Sequence, residues 1–116
     1  MAIATDHELV TQAALDYFEG WYDADVERMD RALHPNLVKR RAGDELGITT
    51  KERMLELTAA GEGREDGADR RLEVVVHDVS PHVASVTVRA AVYHELLHLV
   101  RTSDGWKIAN ALWERA

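Results

Sequence analysis

The two halves of this sequence carry different hydrophobic patterns, and that difference limits the folds open to the chain. The first 60 residues have the spacing of amphipathic helices, whereas residues from 72 onward form short valine-rich runs separated by turn residues. Helices followed by consecutive strands are typical of an α+β fold, in which helices cover one face of a sheet. A chain of 116 residues has room for one such unit. We therefore expect a single α+β domain over residues 1–116.

The first predicted helix has the clearest apolar stripe. Thr5 and Glu8 have the spacing of a capping box, which satisfies free backbone N–H groups at a helix start. After them, apolar residues recur at helical spacing, and they are Val10, Ala13, Ala14, Tyr17, Phe18 and Trp21. We expect this stripe to be buried against the rest of the domain.

Two more helices are predicted before the strands begin. Asp25 is a residue type that caps helices, and the short helix after it ends near Pro35, because the residue before a proline is pushed out of the helical region. Thr49 and Glu52 form a second capping-box pair and predict a third helix. Residues 61–69, rich in glycine and acids, are expected to be a mobile, solvated connector.

The second half predicts an antiparallel sheet. Asp104-Gly105 is a strong two-residue hairpin signal, and β-branched runs predict strands over residues 72–79, 83–92 and 106–113. Residues 90–100 fit a helix by propensity alone, but the hairpin directly after them favours a strand.

Whether residues 90–100 form a helix or a strand decides whether they can hold a zinc ion. His94-Glu95-Leu96-Leu97-His98 matches H-E-x-x-H, which on a helix places two imidazoles on one face to bind zinc, with the glutamate as general base. On a strand, residues four apart lie about 13 Å apart and cannot share one ion. The extended motif needs glycine and histidine where the chain has Arg101 and Asp104. We expect a strand and no metal site.

Composition excludes several kinds of partner. The absence of cysteine excludes disulfides, thiolate nucleophiles and cysteine-ligated metals. A net charge of −7 argues against a nucleic-acid backbone or an anionic membrane surface as partner. No signal peptide is evident, and no apolar stretch approaches the roughly 20 residues of a membrane span. We expect a cytoplasmic protein without a cofactor.

Several segments resemble one known superfamily. They are Tyr17–Tyr22, Leu33–Arg40, Thr50-Lys51, Ala84–Val88, Tyr93–Leu99 and Asp104–Asn110. They resemble the nuclear transport factor 2-like superfamily, most closely its bacterial, SnoaL-like family described as "putative lumazine-binding". The resemblance implies a cystatin-like cone, in which three N-terminal helices pack on a curved antiparallel sheet that can enclose a pocket. Because the superfamily includes isomerases, dehydratases, cyclases and non-enzymatic modules, it does not imply one function.

The ketosteroid isomerases of that superfamily use a carboxylate base and an oxyanion hole made of a tyrosine and a protonated acid. The resemblance places Tyr17 at the tyrosine, Arg40 or Arg41 near the base and Leu96 near the acid. Since one role of three is filled, this isomerase chemistry is not expected, and whether the chain is an enzyme stays open.

The predicted turns divide the strand residues between two faces of the sheet. One face has small and mixed residues: Ser85, Thr87, Arg89, His94, Leu96, His98, Ala109, Ala111 and Trp113. The other is more apolar: Ala84, Val86, Val88, Tyr93, Glu95, Leu97, Leu99, Trp106, Ile108, Asn110 and Leu112. Burial alone indicates that the second, more apolar face packs on the helices. The isomerase comparison indicates that the first face, which carries Trp113, does so, and we adopt this second prediction. The other face would then be covered by a second copy, in a homodimer.

With the Trp113 face turned toward the helices, six residues are expected to line a ligand pocket: Tyr17, Trp21, Thr87, His94, His98 and Trp113. Aromatic rings stack on flat ligands, and histidine is an acid–base group near neutral pH. Three functions stay open. They are binding of a small hydrophobic or aromatic molecule, an isomerase, cyclase or dehydratase that uses the pocket histidines or tyrosine, and a non-catalytic dimerisation module.

Overall fold

A computed structural model describes residues 3–116 as three helices on one face of a curved six-stranded sheet. The helices are α1 (Asp6–Asp23), α2 (Val26–Ala32) and α3 (Lys51–Ala59), with a 3₁₀ turn at Asp66–Ala68. The strands are β1 (Leu33–Arg41), β2 (Gly47–Thr50), β3 (Leu72–Val79), β4 (Val83–Ala90), β5 (Tyr93–Thr102) and β6 (Gly105–Arg115). The predicted α+β class is confirmed, and the three helices lie in the N-terminal half as expected. Among these residues, no helix combines the length and apolar character needed to cross a bilayer.

The strands follow the order β2-β1-β6-β5-β4-β3. All neighbours are antiparallel except β1 and β6, which run parallel. A parallel pair needs a long crossover, and here the crossover is most of the chain between the two strands. This pair is the one exception to the antiparallel sheet that the sequence predicts.

Side-chain caps start all three helices. Thr5, Asp25 and Thr50 each accept a hydrogen bond from a backbone N–H group three residues further on. The first two are the caps predicted from sequence. The third cap is Thr50 rather than Thr49, because Thr49 still pairs with Lys39 in the β1–β2 ladder. Each such cap is worth about 1 kcal/mol to its helix.

The H-E-x-x-H segment lies on strand β5, as predicted. Glu95 faces the helices and is buried, whereas His94 and His98 alternate with it and face outward. Two imidazoles on an extended strand cannot converge on one ion. Within residues 3–116, no three histidine, aspartate or glutamate side chains come together as a metal-binding group.

The prediction that the Trp113 face of the sheet packs on the helices is wrong for β4 and β5 and right for the end of β6. The more apolar set on β4 and β5 packs on the helices, namely Ala84, Val86, Val88, Tyr93, Glu95, Leu97 and Leu99. On β6, Ile108 pairs with Leu99, but Ala111 pairs with Leu97, so Ala109 is an extra residue at a bulge. A one-residue insertion reverses the side to which every later side chain points. Trp106 and Ile108 therefore face inward before the bulge, and Ala111 and Trp113 after it.

The apolar stripe of α1 is buried as predicted, and the connector that follows α3 packs against it. Gly63 is buried, and a Cβ added there would lie 2.5 Å from Cδ1 of Trp21. Gly67 approaches Tyr22 in the same way, with an added Cβ at 2.9 Å from Cβ of Tyr22. These two glycines let the connector lie directly on α1, so the prediction of a solvated connector is wrong at Gly63, whereas the other residues of 61–69 are exposed or half-buried.

A buried carboxylate joins α1 to α2. Asp16 accepts hydrogen bonds from Nε of Arg28 at 3.0 Å and from Nε of Arg31 at 3.1 Å. Burial raises the pKa of Asp16, but the hydrogen bonds from Arg31, Arg28 and Gln12 outweigh burial and hold the pKa below its ordinary value of 3.8. The ionised form of Asp16 therefore stabilises the packing of the two helices.

Replacing this carboxylate should cost stability in a pH-dependent way. We expect Asp16→Asn to lower the free energy of unfolding by about 2 kcal/mol near pH 7, since hydrogen bonds to a charged group are lost. Because the folded-state pKa is depressed, the contribution is present above pH 3.8 and is lost as the pH falls below that value. Urea unfolding across this range measures it. The control Glu19→Gln removes a more exposed partner of Arg28 and should cost less than about 1 kcal/mol; equal costs for both variants would contradict the assignment.

Candidate functional site

A cavity of about 250 Å³ lies between the helices and the inner face of the sheet. Its apolar lining consists of Tyr17, Phe18, Trp21, Met54, Leu57, Tyr93 and Trp113. Its polar lining consists of Lys39, Thr49, Glu62, Asp66, Glu95 and Arg115. A mostly apolar wall with a few polar groups is the usual composition of small-molecule sites. The volume exceeds the roughly 150 Å³ of an engineered cavity that admits benzene.

Three of the six residues expected in the pocket line this cavity, and three do not. Tyr17, Trp21 and Trp113 are in its wall. Thr87, His94 and His98 lie on the outer face of the sheet. There, Oγ1 of Thr87 is 2.7 Å from Nε2 of His77, and Nδ1 of His94 is 3.9 Å from a carboxylate oxygen of Glu114. Their expected place in the pocket is wrong, because it depended on the inner face chosen for β4 and β5.

Tyr17 and Glu95 form a buried hydrogen bond. The Tyr17 hydroxyl on α1 donates to Oε1 of Glu95 on β5 at 2.8 Å, and both residues are at most 3% exposed. Burial, together with the negative charge of Glu95, raises the pKa of Tyr17 well above its ordinary value of 10.0. The phenol therefore stays protonated and remains a donor at any physiological pH.

Lys39 lies beside this pair but is not hydrogen-bonded to it. Its Nζ is 3.8 Å from Oε2 of Glu95, which is longer than a hydrogen bond. Burial lowers the pKa of Lys39 despite the nearby carboxylate, and burial raises the pKa of Glu95 despite Lys39 and the Tyr17 hydroxyl. The two pKa values shift toward each other, so moving a proton from Lys39 to Glu95 costs less than it would in water.

Aromatic rings flank the Lys39 ammonium group. Nζ lies 5.1 Å from the ring centroid of Tyr17 and 5.0 Å from that of Trp113, both within the range of cation–π attraction. Lys39 points inward because it shares its side of β1 with buried Leu37, whereas its two neighbours along the strand are half-buried on the other side. The rings hold the amine at the cavity wall.

A second hydrogen-bonded group joins the cavity to the connector. The Tyr93 hydroxyl donates to the carboxylate of Asp66 and accepts from Nε1 of Trp21 at 3.3 Å. Burial raises the pKa of Tyr93, and the Asp66 carboxylate adds to this effect. The 3₁₀ turn that contains Asp66 thereby completes the lining of the cavity on the side of the connector.

Sequence reasoning missed Lys39 and Glu95. The isomerase comparison placed an acid near Leu96 and a base near Arg40 or Arg41, while the residues in contact with Tyr17 are each a neighbour of those positions. One signal was available. Glu95 alternates with Tyr93, Leu97 and Leu99, and a lone charge on an otherwise apolar face marks a buried ionisable group.

Removing one member of the buried ion pair should destabilise the fold more than removing both. Lys39→Met or Glu95→Gln alone is expected to cost about 3 kcal/mol, because each leaves a buried ionisable group without its partner. The double variant should cost clearly less than the sum of the two. Urea unfolding of all four proteins measures the coupling, with Lys107→Met as a surface control within about 0.5 kcal/mol of the parent. Additive costs would mean that the two groups do not interact.

Solved structures similar to this one share its fold at low sequence identity. A nuclear transport factor 2-like protein of unknown function from Silicibacter pomeroyi superposes with a TM-score of 0.72 at 11% identity, covering 97% of this chain and 100% of its own. A ketosteroid isomerase-like protein from Erwinia carotovora atroseptica gives 0.71 at 19% identity, covering 97% and 98%. A protein from Streptomyces avermitilis, described as a "putative dehydratase" of the same superfamily, gives 0.65 at 18%, covering 96% of both chains.

Sequence comparison identifies the family. No curated protein matches the chain. The family described as "Putative lumazine-binding" matches residues 5–114, which is nearly the whole sequence. The chain therefore belongs to this family, and it shares the fold of nuclear transport factor 2-like proteins.

Proposed function

We propose that the protein binds a small aromatic molecule of one or two rings that carries a carbonyl or hydroxyl oxygen. The observation that carries this proposal is the contact among Tyr17, Lys39 and Glu95 in an aromatic-walled cavity. Burying a lysine and a glutamate costs several kcal/mol each, and apolar residues of the same size would stabilise a core at least as well. Ionisable groups kept in a cavity with shifted pKa values are typical of functional sites.

The lining also indicates the chemistry of the ligand. Nζ of Lys39 makes no hydrogen bond to any of residues 3–116, so its donors are available to a ligand oxygen. The polar lining holds three carboxylates and two cations, which favours a neutral ligand over an anion. The indole rings of Trp21 and Trp113 supply flat surfaces for the ligand's rings. Lumazine, which the family description names, is a neutral two-ring molecule with carbonyl oxygens and falls within this class.

A second candidate is an enzyme of the isomerase or dehydratase kind. The observation that favours it is the buried Lys39 amine 3.8 Å from the Glu95 carboxylate, because burial lowers the pKa of the first and raises that of the second, which reduces the cost of proton transfer between them. With His94 and His98 on the outer face, the acid–base roles would fall to Lys39, Glu95 and Tyr17. The third alternative, a dimerisation module whose pocket is filled by its own side chains, is disfavoured by the open cavity.

A thermal-shift screen tests the ligand class. We expect lumazine or 2-naphthol to raise the melting temperature by several degrees, because a ligand at 100 times its Kd stabilises by about 2.7 kcal/mol. Trp113→Leu should reduce the shift, whereas Leu9→Ala, on the exposed side of α1, should leave it unchanged. A panel in which no aromatic ligand stabilises the parent protein would refute the proposal. Mass spectrometry of the incubated ligands distinguishes conversion from binding.

The outer face of the sheet suggests a partner of its own, and we infer that it is a second copy of the chain. Leu96 and Leu112 are directly paired on β5 and β6 and are 47% and 43% exposed. Cations and acids surround them on this face: Arg40, Arg89, Asp78 and Glu114. A face of mixed charge around an apolar centre can be complementary to itself, which a twofold dimer requires.

Sedimentation tests this interface. The parent protein is expected to be a dimer at micromolar concentration, and Leu96→Glu to shift it to monomer, since two carboxylates would be forced together in an apolar contact. Leu9→Glu, on the opposite side of the molecule, should leave the dimer intact. A parent protein that sediments as a stable monomer would contradict the inference.

A further inference from the structure

The three lysines of the chain have different surroundings. Nζ of Lys51 donates to the Leu33 carbonyl at 3.0 Å and pairs with Asp30, and Nζ of Lys107 donates to the Arg31 carbonyl at 2.7 Å. Nζ of Lys39 makes no hydrogen bond within residues 3–116, and its nearest ionic partner is the Glu95 oxygen at 3.8 Å. Lys39 is also the only one of the three that lines the aromatic cavity.

Burial shifts Lys39 toward its neutral amine, against the attraction that the ammonium form has for Glu95 and for the flanking rings. The side chain is 9% exposed and lies between the rings of Tyr17 and Trp113. Burial lowers the pKa of Lys39, and each unit of lowering increases the neutral fraction about tenfold at a given pH below that pKa. A desolvated lysine in an apolar pocket is an activated nucleophile toward carbonyl carbon.

Glu95 is placed to supply the proton that such a reaction needs. Its Oε1 is held by the Tyr17 hydroxyl at 2.8 Å, which leaves Oε2 directed to Nζ of Lys39. Because burial raises the pKa of Glu95, its carboxyl group can carry the proton when Lys39 is neutral. The neutral pair holds the same number of protons as the ion pair, so no outside acid is required.

We propose that Lys39 forms a Schiff base with a small aromatic aldehyde or ketone bound in the cavity, with Glu95 as the proton donor. This proposal rests on the proposed ligand site and adds a covalent step to it. The lone pair of Nζ forms a C–N bond to the carbonyl carbon while the carbonyl π pair moves to oxygen, and one amine proton passes to that oxygen. Glu95 then gives its proton to the hydroxyl, the C–O bond breaks, and water leaves. The product is an iminium ion paired with the Glu95 carboxylate.

Reductive trapping with benzaldehyde tests the proposal. The full chain is treated with benzaldehyde and sodium cyanoborohydride near pH 7, and the site of the benzyl group is mapped by peptide mass spectrometry. We expect Lys39 to be labelled at least about tenfold faster than Lys51 and Lys107, because the cavity holds the aldehyde beside its amine. Excess benzyl alcohol, which fits the same cavity but forms no imine, should slow labelling of Lys39 alone. Labelling of all three lysines at one rate would overturn the proposal.

Matched variants separate the covalent step from binding. Lys39→Arg should lose the benzyl label, and Lys107→Arg should keep it on Lys39. Glu95→Gln should slow labelling of Lys39 and change its pH profile, because the proton donor is gone. If a variant fails to fold, the comparison among the three lysines of the parent protein still decides the question.

Binding and covalent chemistry fail in different ways. If benzyl alcohol raises the melting temperature but Lys39 is not preferentially labelled, the Schiff base is refuted and the ligand site stands. If benzyl alcohol does not stabilise the protein and Lys39 is not labelled, the ligand site and the Schiff base are both refuted for one-ring ligands.

Discussion

The parallel pairing of β1 with β6 brings the helical half of the chain and the strand half together. Lys39 on β1 lies beside Ala111 on β6, and Ala111 lies beside Leu97 on β5. In the next inward-facing row, Trp113 on β6 lies beside Glu95 on β5. Three adjacent strands thus set the lysine, the indole and the carboxylate next to one another, and α1 adds the Tyr17 hydroxyl from above the sheet. This pairing brings Lys39 to the Tyr17–Glu95 hydrogen bond.

The burial of Lys39 beside Glu95 is better explained by the chemistry proposed for the cavity than by a contribution to the stability of the fold. An ion pair in the interior loses in desolvation much of what it gains in attraction, and its members hold each other at 3.8 Å without a hydrogen bond. The geometry leaves the amine available and the carboxylate fixed by Tyr17. Ionisable groups kept in a cavity at some expense of stability are typical of functional sites, which agrees with the ligand site that we propose.

Local patterns predicted the three helices and strands β3 to β6, whereas tertiary register limited what could be predicted about the site. The stripe of α1, the caps at Thr5 and Asp25 and the strand at residues 93–102 follow from nearest-neighbour physics. The inner face does not, because one extra residue at Ala109 reverses the end of β6 and no composition signal marks that bulge. Without this bulge, Trp113 and the apolar residues of β5 fall on opposite faces of the sheet. The sequence alone therefore could not predict that both face the helices.

The connector shows a similar limit. Glycines and acids at residues 61–69 indicate a loop, which is correct, but the same glycines permit close packing on Trp21 and Tyr22. That Asp66 would reach Tyr93 depends on contacts distant in sequence, and such contacts are not visible in a local pattern.

The distribution of the indole rings has an optical consequence. Trp21 and Trp113 line the cavity, and Trp113 is in contact with the Lys39 amine, whereas Trp106 lies away from the cavity beside Asp6 and Arg101. Two of the three indole rings that can fluoresce in the native chain therefore lie at the site. A ligand that enters the cavity, or a change in the charge of Lys39, should therefore alter the emission of the native chain without any added label.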